Sequence, residues 1–525
     1  MIRSVRGKLV AALVGLLLAV LAGAMVSAAV SQTPTVDEPV YLGTATVYVQ
    51  QHSLQYNVEH PPLGKLLIAA GVVFAHPHLD RGFTGSQGDL GKHLLYESGN
   101  DPDRLTFFGR LPMIVLTLLF GLVVFAFARD LTGTAGGLLA LALYAVLPDV
   151  IANGSLATLD VPTAGFLLTA AWLMWRARSR PLLYLPLAGL ALGAAVATKM
   201  SALVAVPVVL GLAVLAGRRW TERLAYPAGV GLIGIATVWL SYLAVDPRLR
   251  WTPPDDLPPV HGMRALAVQW LPLPQPFRDG LRIQFGFEDT VWGGFLFGHA
   301  YYGSRWYYLP AALLVKSPLG AMVLWLAGAV LMLALKRLRP AAPYVLLTPA
   351  VLFAVGLHES RNLGVRYAII VPMFLTVAAA GVVCLRWRWA PVAAFVLAGF
   401  VAVSSLRAYP YYMTYSNEAF GGPANTYRYL HDSNVDWGQD LGRLADRLHE
   451  KYPGQRVWLV FKGGGVPSYY GIDAADPLVV PESQVHGLLV VSNTERDRAD
   501  RHLADLIGTS TRLEDVGHSI TIYRR

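Results

Sequence analysis

An acidic pair, Asp37-Glu38, follows the first long apolar stretch of the chain, and Glu59-His60-Pro61-Pro62-Leu63-Gly64-Lys65 lies some twenty residues further on. A second acid sits in Leu159-Asp160-Val161-Pro162, where another apolar run begins. Carboxylate, imidazole and ammonium groups at the mouth of a membrane domain are costly unless they do chemistry or pair with one another. Pro61 and Pro62 bias His60 to an extended backbone and suit the first turn of a helix, so Leu63 to Phe74 is expected to continue as an apolar helix lying at the interface. Glu59 and His60 then stand at a helix N-terminus beside the membrane surface.

The elements that must position these groups follow from composition. Hydrophobic residues make up 54% of the 525 and charged residues 15%, against about 25% charged in soluble chains. The class is therefore an all-α polytopic membrane protein. The formal charge is +9, yet Lys and Arg fall in short turns between apolar runs and make no single patch, which argues against nucleic acid. Cys384 is the one cysteine and excludes an intramolecular disulfide framework.

Runs long enough to span a bilayer, about 17–25 residues each, can be drawn near 9–30, 110–128, 135–152, 161–177, 182–198, 201–217, 224–245, 309–335, 342–358, 366–385 and 389–406, about eleven in all. One face collects Arg3, Arg6, Lys8, Arg129, Arg176, Arg178, Arg180, Arg218, Arg219, Arg223, Lys336, Arg337, Arg339, Arg386 and Arg388. The short loops of the other offer Lys199, Arg361 and Arg366. That asymmetry predicts a cytoplasmic N-terminus and an external C-terminus. Whether the first run is a retained anchor or a signal peptide, Asp37 is external, and its length favours an anchor. Residues 31–106 and 246–308 form long external loops, the second rich in aromatic residues and proline. The 407–525 tail reads as a small extracytoplasmic α/β domain: helical spacing over Asn425 to His449, strands at Val457 to Phe461 and Leu488 to Val491, and a Gly463-Gly464-Gly465 turn. No internal repeat is present.

Asp37-Glu38 in the first loop, the His60 to Lys65 run, Leu159-Asp160-Val161-Pro162 and Arg366-Tyr367 together resemble the dolichyl-phosphate-mannose protein O-mannosyltransferases (glycosyltransferase family 39) and their bacterial relatives, the lipid A aminoarabinose transferases among them. The resemblance covers roughly 1–406 and is most specific in the first loop. It implies a GT-C fold, a polyprenyl-phosphate-sugar donor, and catalysis at Asp37, with Glu38 beside it and Asp160 as the acid of the second loop. It implies that Glu59 and His60 fill the family's positions before the two prolines, and that Lys199 serves the donor phosphate. Two departures stand out. The 246–308 loop is too short for the β-trefoil insertion of the eukaryotic enzymes, and the tail, with its Asp432-Ser433-Asn434-Val435-Asp436-Trp437-Gly438-Gln439-Asp440 stretch, looks like a feature of bacterial lipid-carrier enzymes.

A phosphate leaving group calls for cations more than for an acid, whereas a hydroxyl or amine acceptor must lose a proton. Asp37 is thus expected as general base, with a single inverting displacement. Lys199 and Arg366, together with Arg361 or Lys65, are expected on the phosphate side, and Tyr367 among the substrate-binding residues. No ligand spacing for a metal is evident, and a divalent ion stays open as cofactor. Each assignment has a structural rival: Asp37 and Glu38 as helix caps, Glu59 and His60 as caps of the Pro61 helix, Asp160 as a cap, and Lys199 snorkelling to the interface. The functional alternative is a transporter or flippase of lipid-linked sugars. The acceptor, whether protein, lipid or glycan, the sugar and the organism are not legible; a bacterial cell membrane with a catalytic external face is the expectation.

Overall fold

The structure, a computed structural model, describes residues 2–525 and the side chains from Gly7 onward, so the side chains of Arg3 and Arg6 lie outside it. Among the described residues six helices are long and apolar enough to cross a membrane: Gly7–Ser31, Pro102–Thr132, Pro181–Thr198, Trp220–Val245, Arg339–Gly356 and Ala390–Ala408. Two bent pairs raise the number to eight if each is one span. The sequence-based count of about eleven is therefore not reached. The reason is local: several apolar runs are broken inside. The 135–152 run bends by 62° between Val146 and Pro148, and the 309–335 run by 119° between Lys316 and Leu319. A proline follows each break, and its missing N–H and its clash with the preceding turn stop the helix there. The 201–217 and 366–385 runs begin or end as tight 3₁₀ turns and leave only short apolar helices.

The helices pack small residue against large. Gly165 gives its face to Phe120, and Gly328 lies against the backbone of Ala378 and Ala379. Outward-facing Leu9, Leu16, Val20, Leu232 and Leu326 are exposed, as expected for surfaces that meet lipid. The helix expected after Pro61 is present as Pro62–Val72, extended by a turn over Val73–Ala75. The 246–308 loop folds into helices Gly262–Trp270 and Gln275–Asp289 and a hairpin of β1 (Gly293–Leu296) with β2 (His299–Tyr302).

The tail forms a five-stranded sheet from β3 (Val457–Val460), β4 (Ala474–Ala475), β5 (Leu488–Ser492), β6 (Thr511–Val516) and β7 (Ile520–Arg524), in the order β4-β3-β5-β7-β6. β3 runs parallel to β4 and β5, while β7 is antiparallel to β5 and β6. Alternation divides β5 between two cores. Leu488 and Val490 pack with Leu441, Leu444 and Leu448 on one face, Leu489 and Val491 with Leu503 and Leu506 on the other. The helix expected over Asn425 to His449 is confined to Leu441–Lys451, preceded by short 3₁₀ turns. Asp432 and Gly438 take φ of 54° and 90°, left-handed values that an α-helix cannot hold.

Candidate active site

Asp37 is the residue before helix Glu38–Gln51, yet its side chain makes no capping hydrogen bond. Its Oδ2 instead accepts a hydrogen bond from Arg366 Nη1 at 2.8 Å, and its Oδ1 has no hydrogen-bond partner among the described residues. The same Arg366 nitrogen lies 3.5 Å from Asp160 Oδ2, and Lys199 Nζ donates to Asp160 Oδ1 at 2.6 Å. Asp37, Arg366, Asp160 and Lys199 thus form one alternating chain of charges drawn from four segments of the sequence. Lys199 is 13% exposed and paired, so it does not snorkel. Tyr367 stands between the cations, its ring 5.1 Å from Lys199 Nζ and 5.0 Å from the Arg366 guanidinium.

Two adjoining cavities meet at this chain. One, of about 80 Å³, holds Asp160, Lys199 and Glu359 under a wall of Leu167, Val204, Leu352 and Val355. The other, of about 270 Å³, holds Asp37, Tyr41, Glu59, Gln87 and Trp292. His60, Lys199, Arg361, Arg366 and Tyr367 line both. Of the aromatic residues in the 246–308 loop, Phe287 and Trp292 face the second cavity, whereas Trp306, Tyr302 and Tyr307 are surface residues.

His60 and Glu59 do not cap the following helix, whose cap position is Pro61. Glu59 Oε1 accepts from Asn57 and Gln87 at 2.9 and 2.7 Å. Burial, with Lys199 and Lys65 nearby, holds the His60 imidazole well below its ordinary range, so the ring is neutral. Its Nδ1 is buried without a partner. Arg361 donates to Gln284 at 2.9 Å and lies 3.5 Å from Glu288, with its Nε unpartnered.

Glu38 and Lys65 stand apart from these cavities. Glu38 is fully buried and grips Arg110 through both oxygens, at 2.7 and 2.6 Å, while accepting from the N–H groups of Thr35 and Ala157. Burial alone would raise its pKa; the Arg110 charge and hydrogen bonds outweigh that and hold it below the usual range. Arg110 also donates to the carbonyls of Ala29, Gln32 and Thr33. The expected catalytic place of Glu38 is corrected to a structural one: it fastens the end of the first span to the loop. Glu38→Ala is expected to fail in folding, since an unpaired buried arginine costs about 3–5 kcal/mol; a thermal unfolding midpoint equal to the parent's would refute this. Lys65 is likewise corrected. It is fully buried and donates to Asn57 O, Asn57 Oδ1 and His60 O at 2.7, 3.0 and 2.6 Å, so all three of its protons are spent shaping the 57–60 turn.

Several site residues escaped the sequence reading. Glu359 and Gln284 line the first cavity, and Glu359 is raised by burial and by Glu288. Trp437 lies under Arg366, ring centre to guanidinium 4.1 Å. Arg110 did carry a signal, an arginine inside the span-length apolar helix Pro102–Thr132. Among the described residues no group of three or more His, Cys, Asp or Glu side chains converges as a metal site.

Residues 104–242 match the family model described as dolichyl-phosphate-mannose-protein mannosyltransferase, a stretch holding Asp160 and Lys199 but not Asp37 or Arg366. No curated protein matches the chain. Among solved structures, ArnT from Cupriavidus metallidurans bound to undecaprenyl phosphate is similar at TM-score 0.50 and 15% identity, over 98% of each chain. The apo form of that protein gives 0.49 and 16%, over 99% of this chain and 98% of that one. The protein O-mannosyltransferase Pmt1-Pmt2 complex of S. cerevisiae bound to the sugar donor gives 0.33 and 19%, over 44% and 33%. With six to eight candidate membrane spans among the described residues and a likeness to ArnT along nearly the whole chain, this protein is a polytopic membrane protein of the GT-C fold.

Proposed function

We propose that the chain transfers a sugar from a polyprenyl-phosphate donor to an external acceptor, with inversion and with Asp37 as general base. The observation that carries this reading is the placement of Arg366 between Asp37, 2.8 Å away in one cavity, and Asp160, 3.5 Å away beside the other. The donor phosphate belongs in the smaller cavity, on Lys199, Arg361 and Arg366, with its lipid chain along Leu167, Val204, Leu352 and Val355. The sugar and acceptor belong in the larger one, against Asp37, Glu59, His60 and Trp292. That cavity opens through Asn57, Glu59, Gln87 and Phe287 into a surface cleft of about 910 Å³, wide enough for a protein, lipid or glycan acceptor.

The acceptor oxygen bonds the anomeric carbon as the bond from that carbon to the phosphate oxygen breaks. The acceptor proton goes to Oδ1 of Asp37, and the electron pair leaves with the phosphate, whose charge the three cations meet. Neutral His60 can donate to or accept from a sugar hydroxyl. The undecaprenyl phosphate in ArnT supports the donor class; mannose heads the sugars to be tried because of the 104–242 match.

The deciding experiment incubates purified protein with a panel of polyprenyl-phosphate sugars and follows release of polyprenyl phosphate. Release with none of them would overturn the reading. In this proposal residues 1–406 carry the catalysis, and the N-terminus is cytoplasmic. Cysteine at exposed Ser86, in a Cys384→Ser background, is then expected to react with an impermeant thiol reagent outside intact cells, and cysteine at Ser179 is not. The reverse pattern would put Asp37 on the cytoplasmic face.

A further inference from the structure

The acid-rich decapeptide His431–Asp440 remains without a role. On one side it is held by the sheet of the tail. Asp432 pairs with Lys462 and with Arg498, and Asp436 accepts the N–H of Thr494 at 3.2 Å. Lys462 lies just beyond β3 and Thr494 just beyond β5, two parallel strands whose carboxyl ends are where an open α/β sheet ordinarily takes a ligand. Here that place is filled by the chain itself. Lys462 and Arg498 hold Asp432 as a carboxylate, down to about 2 against burial, whereas burial pushes Asp436 up to about 7.

On its other side the decapeptide grips the residues just before both partners of the Asp37–Arg366 pair. The N–H of Val36 donates to Trp437 O at 3.0 Å, and the N–H of Val365 to Asn434 Oδ1 at 2.9 Å. Thr33 is bound to Gln439 O and Gly438 O, at 3.1 and 2.9 Å, and Ser433 Oγ donates to Leu363 O at 2.9 Å. The Trp437 ring, 2% exposed, carries the Arg366 guanidinium on its face. Glycine is needed where these layers touch. A Cβ on Gly438, already at φ 90°, would lie 2.5 Å from the Gly463 backbone, and one on Gly464 would lie 2.5 Å from Thr35 O.

We infer that residues 431–440 are a positioning strut: Trp437 and Asn434 set the separation and aim of Asp37 and Arg366, and the α/β domain exists in this chain to brace them. The inference rests on the functional reading for its kinetic consequence but not for its geometry. A misplacement of about 1 Å can cost about 10²-fold in rate. Rigid stacking removes the freedom that would allow it. Trp437 touches no reacting atom; it acts through Arg366.

The test uses the full-length protein in detergent, as parent, Trp437→Leu, Trp437→Phe and Asp432→Asn, each checked for folding by its unfolding midpoint. Two quantities are read: the rate at which phenylglyoxal modifies Arg366, followed by peptide mass spectrometry, and turnover with the lipid-phosphate sugar. Trp437→Leu is expected to raise Arg366 modification about tenfold and to lower kcat about 10²-fold, with a smaller change in donor KM. Trp437→Phe, which keeps an aromatic face, is expected to stay near the parent in both. Asp432→Asn loosens the far end and is expected to raise Arg366 modification several-fold without touching it. Should Trp437→Leu not fold, Asp432→Asn decides alone. Unchanged Arg366 modification in the folded variants would overturn the strut. Absence of transfer in the parent would instead overturn the functional reading and leave the modification rates to judge the strut.

Discussion

Asp37→Asn is expected to lower turnover by about 10²–10⁴, the range for loss of a general base, while folding and donor binding stay near the parent's. The carboxylate does not cap the helix it precedes, and among the described residues its one hydrogen-bond partner is Arg366. An asparagine keeps the size and can still accept from Arg366 through its amide oxygen. What it loses is the capacity to take a proton at Oδ1. Single-turnover rates with donor in excess isolate this step, and a rate within threefold of the parent would remove Asp37 from the mechanism.

Donor binding is expected to weaken by about 1.5–3 kcal/mol in each of Lys199→Ala and Arg366→Ala, the range for a hydrogen bond to a charged group. These variants should need more donor to saturate, whereas Asp37→Asn should stay slow at any donor concentration. Asp160 complicates the comparison. It is 6% exposed and relies on both cations, so unfolding midpoints belong beside the affinities. Arg366→Lys separates charge from geometry, because a lysine cannot present two parallel donors or stack on Trp437. Donor affinity unchanged in both alanine variants would refute the phosphate assignment and move suspicion to Arg361 and His60.

How far the site was legible can be judged from neighbours in sequence. Asp37 and Glu38 look alike as a pair, but successive residues at a helix start point about 100° apart, so one faces the cavity and the other turns inward to Arg110. Lys65 looks like a phosphate ligand until its protons are traced to Asn57 and His60. The count of about eleven spans is not confirmed by helix length, because hydropathy over a window of about twenty residues does not register a break such as the 119° bend before Leu319.

The sequence by itself determined that the chain is a membrane protein, which loops hold ionisable groups, and that Asp37, His60, Asp160, Lys199 and Arg366 belong to one face. Those conclusions follow from local quantities: apolar length, proline position, and the cost of a charge near lipid. Only the tertiary structure decided which of these charges pair, that Arg366 is shared between Asp37 and Asp160, and that Trp437, distant in sequence, lies against it. Pairing energies fall off within a few ångströms. Chain separation says nothing about such distances, so they are settled where the helices and the sheet of the tail close on one another.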